Sequence, residues 1–125
     1  MNKILILVLS ISALFSCREE PKEEISKVDV ATFKEALATN LDIQLIDVRT
    51  PNEYKEGHIE NAMLIDYFSE KFKTKIQELD KMKPVYLYCK SGNRSEKSSK
   101  ILADLGFTEI VDLKGGYMDW SKQME

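Results

Sequence analysis

The chain has 125 residues, which is enough for one domain but not for two. It is 43% hydrophobic and 31% charged, as is usual for a globular protein, and its formal net charge is -3. This acidic balance argues against a nucleic-acid partner, which requires a basic face. A single histidine and two distant cysteines do not make a zinc site, and no glycine-rich nucleotide fingerprint is present, so we expect no metal and no cofactor.

The N-terminus has the pattern of an export signal. Residues 1–16 place Lys3 before an apolar run that is too short to span a bilayer, which is typical of a secretory signal peptide. The end of this run, Leu14-Phe15-Ser16-Cys17, resembles the lipobox of bacterial lipoproteins, where cleavage before the cysteine leaves it to be lipidated. Phe15 departs from the usual small or β-branched residue. The alternative is a plain signal peptide with an incidental cysteine.

Lipidation at Cys17 would anchor the protein to a membrane of the bacterial cell envelope, facing the periplasm or the exterior. Residues 17–24 then form a charged, solvated tether before a domain at 25–125. A lipidated Cys17 leaves Cys89 without an intrachain partner in an oxidising compartment, which suggests that this sulfur is kept for chemistry. A disulfide between the two cysteines is the alternative.

From Ile25 onward, strand and helix signals alternate. Predicted strands lie at residues 25–28, 41–48, 62–65, 84–88 and 110–113. Five helices are predicted. The first follows Asp29, which is its candidate N-cap, and the second begins near Pro51. The third covers residues 68–79, the fourth covers 98–105, and the last lies near Trp120. This alternation predicts a three-layer α/β/α domain with a central, mostly parallel five-stranded sheet. Ligands bind such sheets beyond the carboxyl ends of the strands, where Asp47, Cys89 and Gly115 are expected to gather.

Cys89 is the candidate nucleophile. It follows the apolar strand at 84–88 and begins the polar segment Lys90-Ser91-Gly92-Asn93-Arg94-Ser95, which leads into a helix. Loop amides and the positive end of the helix dipole favour an anion there, and Lys90 and Arg94 add positive charge. These features favour the thiolate, which is the nucleophilic form of cysteine. The alternatives are a buried structural thiol at Cys89 and two solvated cations.

Six short motifs, in order along the chain, closely resemble those of a single-domain rhodanese. They are Asp47-Val48-Arg49, Glu53-Tyr54, Gly57-His58-Ile59 with Ala62, the cysteine segment 89–95, Leu105-Gly106-Phe107, and Gly115-Gly116-Tyr117-Met118-Asp119-Trp120. The resemblance covers residues 25–120. Glu60-Asn61 departs from the proline and glycine that are common in the family, which changes a turn.

This resemblance implies a rhodanese-like fold and a thiosulfate sulfurtransferase. Cys89 would take the outer sulfur of a small anionic donor such as thiosulfate and pass it, as a persulfide, to cyanide or a thiol. The substrate-binding residues would be Lys90, Ser91, Gly92, Asn93, Arg94 and Ser95, whose amides surround the persulfide and whose two cations attract the donor. A monomer is expected.

Three further residues are expected to lie next to the site and to position the residues that bind the substrate. Asp47 and Arg49 either shape the mouth of the pocket, form an ion pair or hydrogen-bond the catalytic loop. His58 is the single histidine of the chain, which makes it a candidate catalytic base. A thiolate that is stabilised by its own loop does not require such a base. We therefore expect His58 to hold the turn before Ile59.

Three other functions stay open at this point. Cysteine phosphatases use Cys-x5-Arg, whereas Cys89 and Arg94 form Cys-x4-Arg, a loop one residue shorter that suits a sulfur atom better than a phosphate ester. Many rhodanese-like domains lack the cysteine and serve as binding modules. A persulfide carrier that serves a partner protein is the third alternative, and the sequence does not separate it from an enzyme.

Overall fold

The computed structural model describes residues 24–124. The predicted signal peptide, the lipidation at Cys17 and nearly all of the predicted tether lie outside the described residues. Within residues 24–124, no helix is long and apolar enough to cross a membrane. The same residues contain no group of three or more His, Cys, Asp and Glu side chains arranged to hold a metal ion.

Strands and helices alternate through the described part of the chain. The strands are β1 (Ile25–Val28), β2 (Gln44–Asp47), β3 (Met63–Leu64), β4 (Val85–Tyr88) and β5 (Ile110–Leu113). The helices are α1 (Val30–Thr39), α2 (Pro51–Glu56), α3 (Phe72–Ile76), α4 (Asn93–Asp104) and α5 (Gly116–Gln123). All strand pairs are parallel, in the order β1-β5-β4-β2-β3. The predicted α/β fold with a five-stranded sheet is therefore confirmed.

Apolar cores fill the space on both faces of the sheet. On one face, side chains from β2, β4 and β5 pack against α3 and α4, with Phe72, Ile76 and Leu102 as buried helical contacts. On the other face, α1 and α5 pack on the sheet, and the ring of Phe33 meets that of Trp120 edge-on at 6.3 Å. Burial on both faces explains why the central strands β4 and β5 are nearly continuous apolar runs rather than alternating ones.

Local capping chemistry sets where the first two helices begin. The Asp29 side chain accepts a hydrogen bond from the Thr32 N–H at 2.9 Å, as predicted for an N-cap of α1. At α2, Thr50 and Glu53 form a reciprocal capping box, and Pro51 occupies the first turn, where its missing N–H costs nothing.

The predicted helix over residues 68–79 is wrong in its length. The structure confines α3 to Phe72–Ile76, and Phe68 lies outside it with 66% of its surface exposed. The Asp66 carboxylate accepts from the Phe68 N–H at 2.9 Å, which forms a local turn in place of helix. The periodic apolar pattern holds at Phe72 and Ile76, but Phe68 contributes nothing to the core.

Candidate active site

Three functional segments meet at one edge of the sheet. Asp47 ends β2, Cys89 follows β4, and Gly115 follows β5, and these three strands are neighbours in the order β5-β4-β2. Because the strands are parallel, their carboxyl ends lie at the same edge. The structure therefore brings together the residues that the sequence predicts to gather there.

The Cys89 thiol is buried and hydrogen-bonded. Its residue is 1% exposed, and the side chain belongs to the core on the α3 and α4 face. The Gly92 N–H donates to Sγ at 3.0 Å, and the thiol donates to Ser95 Oγ at 3.4 Å. The sulfur therefore lies in the core but accepts a hydrogen bond from a loop amide, which an entirely apolar environment would not supply.

The loop after Cys89 depends on one glycine. Gly92 has φ +120°, a conformation that side-chain-bearing residues rarely adopt, and an added Cβ would meet nothing within 4 Å. A glycine is therefore required at position 92 because of the backbone conformation, and not because a side chain would lack space. Ser95 closes the loop, because its hydroxyl donates to the Gly92 carbonyl at 3.2 Å. Helix α4 begins at Asn93, and the first N–H groups of a helix lack intrahelical acceptors.

The start of α5 anchors the same loop from the other side. The Tyr117 N–H donates to the Cys89 carbonyl at 2.8 Å, and the Met118 N–H donates to the Lys90 carbonyl at 3.0 Å. Gly116 permits this approach, since a Cβ there would lie 2.5 Å from the Cys89 oxygen and 2.6 Å from the Lys90 oxygen. Gly116 also has φ +59°.

Arg94 is held in an ion pair. Its two terminal nitrogens donate to the two carboxylate oxygens of Glu53 at 2.6 and 3.0 Å, a bidentate arrangement. The hydrogen bonds from Arg94 lower the pKa of Glu53 to about 2, and they raise the pKa of Arg94. The structure therefore ties α4 to α2 through a residue that the sequence predicts as a substrate-binding cation.

The first four residues after Cys89, Lys90 to Asn93, line two open cavities. Lys90 is exposed and lines a cavity of about 310 Å³ together with Glu56, Met118 and other residues of α2 and α5. Ser91, Gly92 and Asn93 line a second cavity, of about 580 Å³. Four of the six predicted substrate-binding residues therefore line two different cavities, whereas Arg94, Ser95 and the buried Cys89 line neither of them.

Asp47 and Arg49, at the end of β2 and just after it, form a buried ion pair. The Arg49 Nε donates to Asp47 Oδ1 at 3.0 Å, and Nη2 donates to Asp47 Oδ2 at 2.7 Å. The same Nη2 donates to the Gly57 carbonyl at 2.7 Å, and the guanidinium lies 4.2 Å from the centre of the Tyr117 ring. This pair links the end of β2 to the turn after α2 and to the start of α5.

His58 takes part in the turn after α2. Its ring stacks on Tyr54 with the centroids 3.7 Å apart, and its Nδ1 lies 2.8 Å from the Tyr54 carbonyl oxygen. The next residue, Ile59, donates its N–H to the buried Tyr88 hydroxyl at 3.0 Å. The structure shows contacts of His58 with the turn and none with Cys89.

The sequence suggests no role at the site for two residues. Glu53 belongs to one of the motifs, but the capping-box pattern from Thr50 to Glu53 indicates only where α2 begins and not the ion pair with Arg94. Asp112 is buried on β5, and the signal that marks it is a carboxylate in the middle of the apolar strand Ile110–Leu113.

The chain is similar to proteins of known sequence and structure. A family profile described as "Rhodanese-like domain" matches residues 29–123. "Uncharacterized protein YqhL" of Bacillus subtilis is 43% identical over 82 residues, which are 66% of this chain and 64% of that protein, so this chain spans less than two thirds of it. A protein of Allochromatium vinosum named "Sulfurtransferase" is 29% identical over 98 residues, or 78% of this chain and 90% of the relative.

A solved structure shares the fold. The crystal structure of a rhodanese-related protein from Thermoplasma volcanium matches this chain with a TM-score of 0.68 and 29% sequence identity. The match covers 78% of this chain and 91% of that one. The fold and the order of the motifs therefore lead to the same family.

The close approach at Gly116 yields a first prediction. Gly116→Ala places a methyl group against two backbone carbonyls and strains φ, so we expect it to lower the free energy of unfolding by about 1–3 kcal/mol and to displace the loop. Gly106→Ala is the matched control, because φ there is +94° but no atom lies within 4 Å. Urea denaturation and the alkylation rate of Cys89 measure both effects. Equal behaviour of the two variants would contradict the anchoring role.

The ion pair of Glu53 and Arg94 yields a second prediction. Because the pKa of Glu53 is lowered to about 2 in the folded state, its stabilisation is present above the ordinary value of 4.5 and is lost as the pH falls from 4.5 to about 2. We expect Glu53→Gln to cost about 1–2 kcal/mol at pH 7 and to approach wild type as the pH falls through that range.

Urea denaturation of both proteins across this pH series measures the difference. Glu56→Gln, an exposed change on the same helix, is the control and should cost little at any pH. A Glu53→Gln deficit that does not shrink in acid would refute the assignment.

Proposed function

This chain belongs to the family of rhodanese-like domains, whose relatives include a sulfurtransferase, and on that premise we propose that it transfers sulfane sulfur through a persulfide on Cys89. Thiosulfate or a similar small anion is the proposed donor, and cyanide or a thiol is the proposed acceptor. The observation that carries the proposal is the hydrogen bond that the Gly92 N–H of the loop donates to the Cys89 sulfur at 3.0 Å.

The proposed reaction has two displacement steps. The Cys89 thiolate attacks the outer sulfur of thiosulfate, the bond between the two donor sulfurs breaks, and its electron pair leaves with sulfite. Cys89 then carries a persulfide. The acceptor attacks the outer sulfur, the bond between the two sulfurs on Cys89 breaks, and the thiolate is regenerated.

The loop supplies the electrostatics that these steps need. Negative charge resides on the cysteine sulfur before the first step and after the second, and on the outer sulfur of the persulfide between them. The Gly92 N–H and the N-terminus of α4 stabilise such a charge without rearranging, as preorganised donors do in a site that excludes water. The anchoring of the Cys89 and Lys90 carbonyls by α5 keeps these donors in place.

Lys90 is the side chain that mainly attracts the anionic donor. Arg94 is neutralised by Glu53, whereas the Lys90 side chain lines the open cavity of about 310 Å³ beside the loop. The burial of Cys89 favours a small donor, because a bulky reagent does not reach a sulfur on a residue that is 1% exposed. The short Cys-x4-Arg loop supports sulfur transfer over phosphatase chemistry for the same reason of size.

A matched pair of cysteine variants tests the nucleophile. We expect Cys89→Ser to abolish thiocyanate formation from thiosulfate and cyanide, because the hydroxyl does not form a persulfide. Cys17→Ser, the same substitution at the other cysteine, should keep the activity of wild type. Thiocyanate is measured colorimetrically, and an aryl phosphate is assayed in parallel. Full activity of Cys89→Ser, or phosphate release without thiocyanate, would reject the proposal.

The N-terminal sequence supports the proposal that a lipid on Cys17 holds the protein at a membrane of the bacterial cell envelope, facing the periplasm or the exterior. The lipobox-like segment and the charged residues after it carry this proposal. In a bacterial host, we expect labelled palmitate to be incorporated into wild type and not into Cys17→Ser, and the variant to leave the membrane fraction. Equal labelling of both proteins would contradict it.

A further inference from the structure

The second cavity beside the cysteine loop is not used by the proposed reaction. It is the cavity of about 580 Å³ that Ser91, Gly92 and Asn93 line, and neither Cys89 nor Arg94 lines it. The rest of its wall comes from β1, from the end of β5 and from the first turn of α4. Its volume lies within the range of roughly 300–1,000 Å³ that is usual for small-molecule sites in proteins. The cavity is therefore large enough for a small ligand.

A deeply buried carboxylate belongs to the wall of this cavity. Asp112 of β5 lines it, although only 1% of the surface of that residue is exposed. The Oδ1 atom of Asp112 is fully buried and has no hydrogen-bond partner among the described residues. A buried carboxylate oxygen without a donor is costly, and a ligand that donates a hydrogen bond to the carboxylate offsets this cost. The unpartnered carboxylate is the observation that points to a ligand.

The lysine beside Asp112 is engaged with a different carboxylate. Lys27 of β1 is paired in register with Asp112, so both side chains lie on the same face of the sheet. The Lys27 Nζ lies 3.5 Å from Glu96 Oε1 on α4, and among the described residues no ion pair joins Lys27 to Asp112. About half of each side chain of this pair is exposed, and both residues line the cavity. The charge of Asp112 is therefore left for a cationic group from outside the protein.

Lys114 supplies a positive charge to the same cavity. It lines the cavity, it is exposed, and it forms no ion pair with another described residue. Its N–H donates to the Val28 carbonyl at 2.9 Å, so the pairing of β5 with β1 continues to this position. Residues two apart on a strand share a face and lie about 7 Å from each other, which places Lys114 next to Asp112. A buried carboxylate and an exposed ammonium group thus present opposite charges to one ligand.

We propose that the second cavity binds a small zwitterion that carries one ammonium group and one carboxylate, as a free α-amino acid does. The ammonium group of the ligand donates to the Asp112 carboxylate, and its carboxylate lies against the Lys114 ammonium group. A bare cation is disfavoured because Lys27 and Lys114 repel it. A bare anion is disfavoured because it leaves Asp112 unpartnered and is repelled by its charge. The cavity is therefore complementary to a molecule with both charged ends.

Binding of this ligand requires an ionised Asp112, because a neutral carboxyl group does not attract an ammonium group. Burial raises the pKa of Asp112 to about 6. The charged groups around it are Lys27 of β1, Glu96 of α4 and Lys114, and the first two shift this pKa in opposite directions, while Leu87 of β4 is uncharged. About one tenth of Asp112 is ionised at pH 5 and about nine tenths at pH 7, so we expect the affinity to be about tenfold lower at pH 5.

The test compares L-alanine, which carries both charged groups, with propionate, which lacks the ammonium group, and ethylamine, which lacks the carboxylate. Each probe is titrated into the full-length protein at pH 7, and NMR follows the amide shifts of Gly92 and Gly115, which line the cavity. We expect saturable shifts with L-alanine, and binding of propionate and ethylamine that is weaker by about tenfold or more. The measurement requires no sulfur transfer, so this inference and the proposed function fail separately.

Two variants with matched controls identify the two charged ends of the site. We expect Asp112→Asn to weaken L-alanine binding at pH 7 by about tenfold or more and to remove its pH dependence, and Lys114→Gln to weaken it about threefold. Asp104→Asn and Lys122→Gln, exposed changes outside the cavity, should bind like wild type. The probe comparison on wild type and the exposed Lys114 variant still test the inference if Asp112→Asn does not fold. Absence of saturable shifts with L-alanine, equal binding of propionate or ethylamine, or unchanged binding in Asp112→Asn or Lys114→Gln would overturn it.

Discussion

The N–H groups of Tyr117 and Met118, in the first turn of α5, donate to the carbonyl oxygens of Cys89 and Lys90 at 2.8 and 3.0 Å. These bonds fix the backbone on which the sulfur and its donors sit. They form only because Gly116 has no Cβ and tolerates a positive φ. Two backbone hydrogen bonds between the loop after β4 and the start of α5 therefore hold the loop in its observed geometry.

Two ion pairs pack close to this loop and neutralise charged side chains of the protein itself. Asp47 pairs with Arg49 in the interior, and Glu53 pairs with Arg94 at the start of α4. The first pair connects β2 to the turn after α2, and the second connects α4 to α2. Within the described residues, Lys90 is the loop cation that has no ion-pair partner, so the positive character of the site combines one lysine with the backbone donors.

The sequence predicts the fold well because hydrophobic periodicity and turn residues are local signals. The strands Ile25–Val28 and Ile110–Leu113 occur as predicted, and Asp29 caps α1. The helix predicted over 68–79 is shorter because a side chain to backbone hydrogen bond at Asp66 competes with it.

The sequence predicts where the site lies, but it does not predict which side chains form ion pairs there. Cys89, Asp47 and Gly115 gather because parallel strands end at one edge, a topological rule that the sequence carries. The partnership of Arg94 with Glu53 joins residues of two helices that are distant in the chain, and no local pattern indicates it. The burial of Cys89 likewise depends on how α4 packs on the sheet.

The central claim is that the loop after Cys89 stabilises a sulfur anion that carries one additional sulfur atom. Mass spectrometry of the native protein after exposure to thiosulfate tests this claim most directly. The account predicts one added sulfur atom on the peptide that contains Cys89, removed again by cyanide. An unchanged Cys89 peptide, or added sulfur that cyanide does not remove, would contradict it.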